Sequence, residues 1–342
     1  TSTEVGAELK FMKNRFGLNV TYYDKVTKDQ IMDVDISDAS GYDKMKINAG
    51  EIENKGIELE LQGQILKSDR GLNWNVAVNW AKNKNQVNKL YSDLKKYQIG
   101  NAWGITTEAI PGESFGVIRG VGFNTDAKGN IIVGEDGIPQ ASATPMDLGN
   151  VMPKWTGGIN NSFEWRNFNA SFLIDMRWGG SIFSVTDWFG AMSGVSEETA
   201  QMTSRTGVEG KNIREVGLVV GKDVLKDKTV VKADGTANDI VVSAQDYYES
   251  YWNIPQQGII DASFVKFREL TFGYSVPHSI LKKTGILQSA NISFVGRNLA
   301  LLWTHKSNDI GIDPETAFGT TNSGMGIEQY QLPATRSLGF KV

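Results

Sequence analysis

The chain has 342 residues, of which 40% are hydrophobic and 22% charged, with a formal net charge of -4, no cysteine and two histidines. This balance offers no basic field for nucleic acid. The lack of cysteine removes thiol catalysis, disulfides and thiolate metal sites, and His278 and His305 alone make no histidine metal centre.

The 37 glycines and 10% aromatic residues suit turns and strands. Near the start, Val5, Ala7, Leu9 and Phe11 alternate with Glu4, Gly6, Glu8 and Lys10, which predicts a strand. After turn formers at 12–15, Phe16, Leu18, Val20 and Tyr22 hold one parity against Arg15, Gly17, Asn19, Thr21 and Tyr23. The third segment sets Ile57, Leu59, Leu61 and Ile65 against Glu58, Glu60, Gln62 and Gln64. A tight turn at 67–71 leads to Leu72, Trp74, Val76, Val78 and Trp80, facing away from Asn73, Asn75 and Asn79. Residues 115–123 and 157–165 alternate less clearly. In 168–178, Phe168, Ala170, Phe172, Ile174, Met176 and Trp178 share a face, with Asp175 and Arg177 on the other.

Residues 186–259 show little alternation and are expected to hold short helices, with Ser196 and Ser243 as N-caps. A strand at 264–276 carries a parity break near Arg268 that predicts a bulge. Segment 290–298, a second long stretch at 301–334 and a last strand at 335–342 complete a set of about ten strands.

A half-buried strand in a soluble sandwich also alternates. These segments are longer than the usual strand of about 5 to 6 residues, and their polar faces carry carboxylates and amides that need water beside them. Short turns alternate with long connections, and Tyr22, Trp74, Trp80, Trp165 and Trp178 sit near strand ends like interfacial girdles. The prediction is an all-β fold: a transmembrane antiparallel β-barrel with long extracellular loops. No run reaches the roughly 20 apolar residues of a spanning helix, and the beginning lacks a signal-peptide pattern.

Several phrases then point to a family: NAGEIENKGIELEL (48–61), DMRWGGSIFS (175–184), SAQDYYESYW (243–252), DASFVKFRELTFGYSVP (261–277), VGRNLALLW (295–303), GIDPE (311–315) and GIEQYQLPATRSLGF (326–340). In this order and spacing the chain resembles the C-terminal barrel half of the SusC/RagA family of TonB-dependent outer-membrane transporters of Bacteroidetes. The resemblance implies a barrel of roughly 22 strands, of which residues 1–342 would be the C-terminal portion, with extracellular loops at about 186–259 and 301–334. The plug, the TonB box and the N-terminal extension match nothing in the sequence, and the ending GFKV departs from the family's terminal aromatic. The resemblance further implies a SusD-like surface lipoprotein as lid, energy from TonB, ExbB and ExbD, contact with outer-membrane lipid, and import of oligosaccharides or peptides across the bacterial outer membrane. No cofactor is expected.

Loop aromatics Trp188, Phe189, Tyr247, Tyr248, Tyr251, Trp252 and Trp303 are the candidates for substrate or lid contact, because ring faces stack on sugars or pack against a partner. Asp313 and Glu315 form a paired-acid candidate for a cation, against which a Pro-fixed turn explains the phrase equally well. GESFG (112–116) matches a nucleophile elbow, but a strand pattern follows Ser114 where a helix is required. Residues 124–135 imitate a calcium loop with Lys128 at a ligand position, so a hairpin is expected. GLVVGKD (217–223) is too short for a phosphate loop and is expected to be solvated. Two alternatives remain: an outer-membrane barrel hydrolase using Ser114 with His278 or His305, and a soluble β-rich carbohydrate-binding module.

Overall fold

Alternating segments pair in the order in which they occur. The computed structural model describes residues 1–35, 44–48, 50–91, 94–316, 324–332 and 334–342. Its main sheet has nine strands, which we number β1 (Ser2–Phe11), β2 (Phe16–Thr27), β3 (Gly50–Leu66), β4 (Leu72–Leu90), β5 (Trp155–Trp165), β6 (Phe168–Trp178), β7 (Phe264–Ser275), β8 (Asn291–Thr304) and β9 (Ser337–Lys341). Every neighbouring pair is antiparallel, so the wall is an up-and-down meander with free edges at β1 and β9.

The register aligns like with like. One cross-strand row runs Leu9, Leu18, Leu61, Val78, Ile159, Ile174, Phe267; the adjacent row runs Glu8, Asn19, Glu60, Asn79, Gly158, Asp175, Lys266. Side chains alternate across a pleated strand, so the first row belongs to one face of the sheet and the second to the other. Leu18, Val20, Leu59 and Val76 stand half-exposed on the apolar face and are not enclosed in an interior. Within the polar face, the Asn19 amide donates to Glu60 at 3.1 Å.

Two aromatic rows cross the apolar face. One holds Trp74, Phe163, Trp165, Phe168 and Tyr274, with ring pairs at 5.8, 6.4 and 5.0 Å. In the other, Trp155, Trp178 and Trp303 stack at 6.0 and 5.3 Å, and Trp80 pairs with Gly157 two positions along. The 11-residue strand β5 has Trp155 and Trp165 at its ends. At about 3.4 Å per residue and about 45° tilt it covers roughly 24 Å, the height of the apolar band of an outer-membrane barrel.

Connections sort by length. Those at 12–15, 67–71, 166–167 and 276–290 all leave the end of the sheet marked by Trp165, and those at 28–49, 91–154, 179–263 and 305–336 all leave the end marked by Trp155. Arg268 has no opposite residue, because Leu173 pairs with Glu269 and Ile174 with Phe267, so the expected bulge is present.

The long connections differ from their expected form in three ways. Residues 115–123 do not add a wall strand: Val117–Gly120 belongs to a separate four-stranded sheet with Tyr97–Ala102, Ile105–Ala109 and Met146–Asn150. Residues 217–223 are not solvated, because Leu218, Val219 and Val220 enter a hydrophobic core. There the buried Asp223 accepts the Val219 amide at 2.7 Å and pairs with Arg205 at 2.7 Å. Ser196 precedes the 3-10 turn Glu197–Ala200 without a side-chain capping bond, whereas Ser243 caps Ala244–Glu249 by accepting the Asp246 amide at 3.0 Å.

Three of these connections, 91–154, 179–263 and 305–336, pack into one loop body that holds the main hydrophobic core, including Ile118, Phe183, Trp188, Leu218, Tyr247 and Ile327. Close approach is required at Gly258, where an added Cβ would come within 2.6 Å of the Phe183 ring and 2.9 Å of Trp188. Among the described residues no helix is long and apolar enough to cross a membrane.

Candidate functional site

Six of the seven loop aromatics singled out from the sequence converge on the helix Val185–Met192 and the segment 244–253. Burial divides them. Trp188, Tyr247, Tyr248 and Tyr251 are core residues; Trp188 donates its indole N–H to the Tyr251 carbonyl at 2.9 Å and Tyr248 its hydroxyl to the Glu198 carbonyl at 2.9 Å. Burial also pushes the three tyrosine hydroxyls well above their ordinary titration range. Phe189 is half-buried and Trp252 is 56% exposed, with one face stacked on Trp188 at 5.7 Å. Trp303 does not join them: it stands in the outer aromatic row against Trp178.

Two further aromatics, which parity and spacing do not reveal, complete the exposed patch. Trp103 lies 5.0 Å from Phe189 and 6.5 Å from Trp252, and Tyr330 lies 6.4 Å from Phe189. Trp103 and Gly104 both have positive φ, the requirement of the tight hairpin turn joining Tyr97–Ala102 to Ile105–Ala109. A bulky residue at φ 49° is unusual, as is Tyr330 at φ 52°. Both are held by surrounding structure, and Tyr330 donates its amide to the Thr186 hydroxyl at 2.9 Å. The only local signals were the Trp-Gly dipeptide and a tyrosine beside Glu328.

Beneath the patch lies a group of acids. Glu328 is buried at the N-terminus of helix Val185–Met192 and accepts the hydroxyls of Ser184 at 2.7 Å and Thr186 at 2.6 Å, where the helix dipole favours an anion. Asp187 has one carboxylate oxygen with no partner among the described residues. Burial, reinforced by Asp309 and Glu328, pushes its pKa up to about 7. Burial also raises Glu198 to about 8, with Asp187 and Asp309 adding to the shift. Among the described residues no set of three or more His, Cys, Asp or Glu is arranged to hold a metal ion.

The loop body is tied to the polar face of the wall by ion pairs. Lys266, 4% exposed, donates to Asp313 at 2.5 Å and to Glu315. The bulged Arg268 reaches Asp175 at 2.9 Å, Glu315 at 2.8 Å and the Asn298 amide oxygen at 3.0 Å. Burial alone would raise the Glu315 pKa, but hydrogen bonds from Arg268 and Lys266 hold it below the usual range. Two protein cations thus pair with the carboxylates of the cation candidate Asp313 and Glu315, and these pairs anchor the 305–336 connection to the wall.

The tempting motifs resolve simply. Ser114 is followed by strand Val117–Gly120 with no helix, His305 pairs with Ser307 at 3.0 Å, and His278 lies at the opposite end of the wall. No nucleophile and base are brought together by them. Residues 124–132 form a hairpin in which Asp126 accepts the amides of Lys128 at 2.8 Å and Asn130 at 2.9 Å.

The family model described as TonB dependent receptor-like, beta-barrel matches residues 1–207. The chain is 25% identical to TonB-dependent receptor P3 of Formosa agariphila, covering 98% of this chain and 33% of that protein, and 24% identical to receptor P26 of the same organism, covering 100% and 34%. It superimposes on the RagAB peptide importer in the closed-closed state with a TM-score of 0.65 at 18% identity, covering 98% of this chain and 34% of that one. The open-open state gives 0.64. The chain thus spans about a third of the length of the relatives it matches. It belongs to the TonB-dependent receptor-like β-barrel family, a family of receptors and transporters and not of enzymes.

Proposed function

We propose that this member of the family is the C-terminal barrel portion, residues 1–342, of an outer-membrane importer of the SusC/RagA type. Its loop body would form part of an extracellular cavity for oligosaccharides or peptides. A SusD-like surface lipoprotein would close over that cavity, and TonB, ExbB and ExbD would energise passage through segments outside this chain. One observation carries the reading: short turns at one end of a nine-stranded meander, long connections at the other, and between them an apolar face bounded by two aromatic rows. A closed barrel needs these features, because unpaired backbone is intolerable in hydrocarbon and interfacial rings mark both headgroup levels. A soluble module would bury Leu18, Leu61 and Val78 instead.

Within the importer, Trp103, Phe189, Trp252 and Tyr330 are the residues we assign to substrate or lid contact, while Trp188, Tyr247, Tyr248 and Tyr251 support them from below. The structurally similar RagAB is a peptide importer, which favours peptides for the related architecture and leaves oligosaccharides to the test. The full-length protein carrying Trp252→Ala and Trp103→Ala should reach the outer membrane at wild-type level while uptake of labelled peptide or oligosaccharide falls by about tenfold, the loss of about 1.4 kcal/mol of contact. A deletion strain that grows normally on glycans and on peptides alike would overturn import of either.

A further inference from the structure

The four short connections share a property unrelated to the loop body. Lys13 and Arg15 lie in the first, Lys67 and Arg70 in the second, Arg166 in the third and Lys282 and Lys283 in the fourth, against a single acid, Asp69. All seven cations are exposed, and none makes an ion pair among the described residues. The connections at the other end carry more acid than base. Seven exposed cations with one acid among them thus gather in a collar at one end of a chain whose net charge is -4.

The collar adjoins the aromatic row of Trp74, Trp165, Phe168 and Tyr274. Arg166 stacks its guanidinium over Trp165 at 4.9 Å, and Arg15 lies 5.8 Å from Phe16 while donating to the carbonyls of Gln64 at 2.7 Å and Ile65 at 2.6 Å. These two are fixed to the wall. Lys13 and Arg70 lie in turns and Lys282 and Lys283 in the 3-10 helix Lys282–Thr284, all four without an ion pair among the described residues.

Resting on the membrane-spanning reading above, we infer that the short-turn end is a docking collar for the phosphate headgroups of anionic phospholipids in the leaflet that meets this end of the barrel. Charge complementarity selects the partner. Interfacial rings set the depth of the wall, so the cations just beyond them lie at the level of headgroup phosphates, where a low-dielectric boundary strengthens each attraction and salt weakens it. Zwitterionic headgroups present no net charge to match the collar.

The test uses the full-length transporter purified from membranes and reconstituted in nanodiscs of phosphatidylcholine with increasing phosphatidylglycerol, with retained lipid counted by native mass spectrometry. Wild-type protein should retain phosphatidylglycerol preferentially. The variant Lys13→Gln, Arg70→Gln, Lys282→Gln, Lys283→Gln should lose the preference by roughly tenfold or more, and salt at about three times physiological ionic strength, roughly 0.5 M, should do the same to wild type. Equal charge removal at Lys211, Lys222, Lys226 and Lys228 in the loop body should leave it intact. Correct folding is read from heat-modifiable gel mobility, and the double variant Lys282→Gln, Lys283→Gln, outside the wall strands, gives the same readout at a smaller loss if the fourfold variant does not assemble. Retention that ignores headgroup charge, or complete competition by millimolar inorganic phosphate, would overturn the collar alone. Extraction of the protein without detergent would overturn the membrane reading and the collar with it.

Discussion

The wall and the loop body bury their apolar side chains in opposite ways. In the wall, Leu9, Leu61, Phe272 and Phe340 stand exposed on one face of the sheet, and no strand of the meander contributes to the main core. In the loop body, connections that lack alternation enclose Phe183, Trp188 and Tyr247 with less than 2% exposure. The difference teaches that hydrophobic residues seek whichever non-aqueous environment the element meets. For the wall that is hydrocarbon outside the protein; for the loops it is the protein itself.

The largest expected effect tests the loop side of this contrast. Trp188→Ala removes a fully buried ring and its hydrogen bond to Tyr251, which should cost about 3–5 kcal/mol. Limited proteolysis should then cut within 179–263 while the wall keeps its heat-modifiable mobility; simultaneous loss of both would mean that the two regions are one cooperative unit. Leu61→Arg tests the other side, since Leu61 lies in the row of Val78 and Ile159 near the middle of the apolar band, where a cation on the lipid face costs about 2–4 kcal/mol. The same substitution at Asn79, on the polar face, should be nearly silent, and equal urea midpoints for the two variants would contradict the assignment of faces.

An intermediate effect is expected of pH on the loop body. Asp187 and Glu198 have folded pKa values of about 7 and about 8, above their ordinary 3.8 and 4.5. Protons therefore bind the folded form more tightly than the unfolded one. The stability they contribute is full below about pH 4 and is lost as pH rises through about 7 to 8. Amide protection factors in helix Val185–Met192, with the intrinsic pH dependence of exchange divided out, should fall between pH 5 and 9, and Asp187→Asn should flatten that fall; wall protection factors should stay constant. The smallest effect belongs to Ser243→Ala, which removes the cap on Ala244–Glu249 and should cost about 1 kcal/mol, read as a shift in thermal unfolding of the loop body.

The wall was legible because its strands report their own surroundings. Leu18, Leu59 and Val78 were placed on one face by parity alone, the bulge at Arg268 by a single break in that parity, and the turns at 12–15 and 67–71 by their residue types. The segment 115–123 does hold a strand, Val117–Gly120, but it pairs within the loop body and not in the wall, a choice of partner that a short, weakly alternating segment does not carry. Residues 217–223 looked solvated because glycines and Lys222 flank Leu218, Val219 and Val220, which are buried by residues distant in sequence, including Val242.

By itself, the sequence determined which side chains of each wall strand face hydrocarbon and which face water, since a repeat of two is written into consecutive residues and needs no distant partner. Only the tertiary structure decided which aromatics form the exposed patch, that Asp313 and Glu315 are already paired with Lys266 and Arg268, and that Trp303 belongs to the outer row. Those outcomes depend on contacts such as Trp103 with Phe189 and Phe189 with Tyr330, made between separate connections whose approach is set by the packing of the whole loop body.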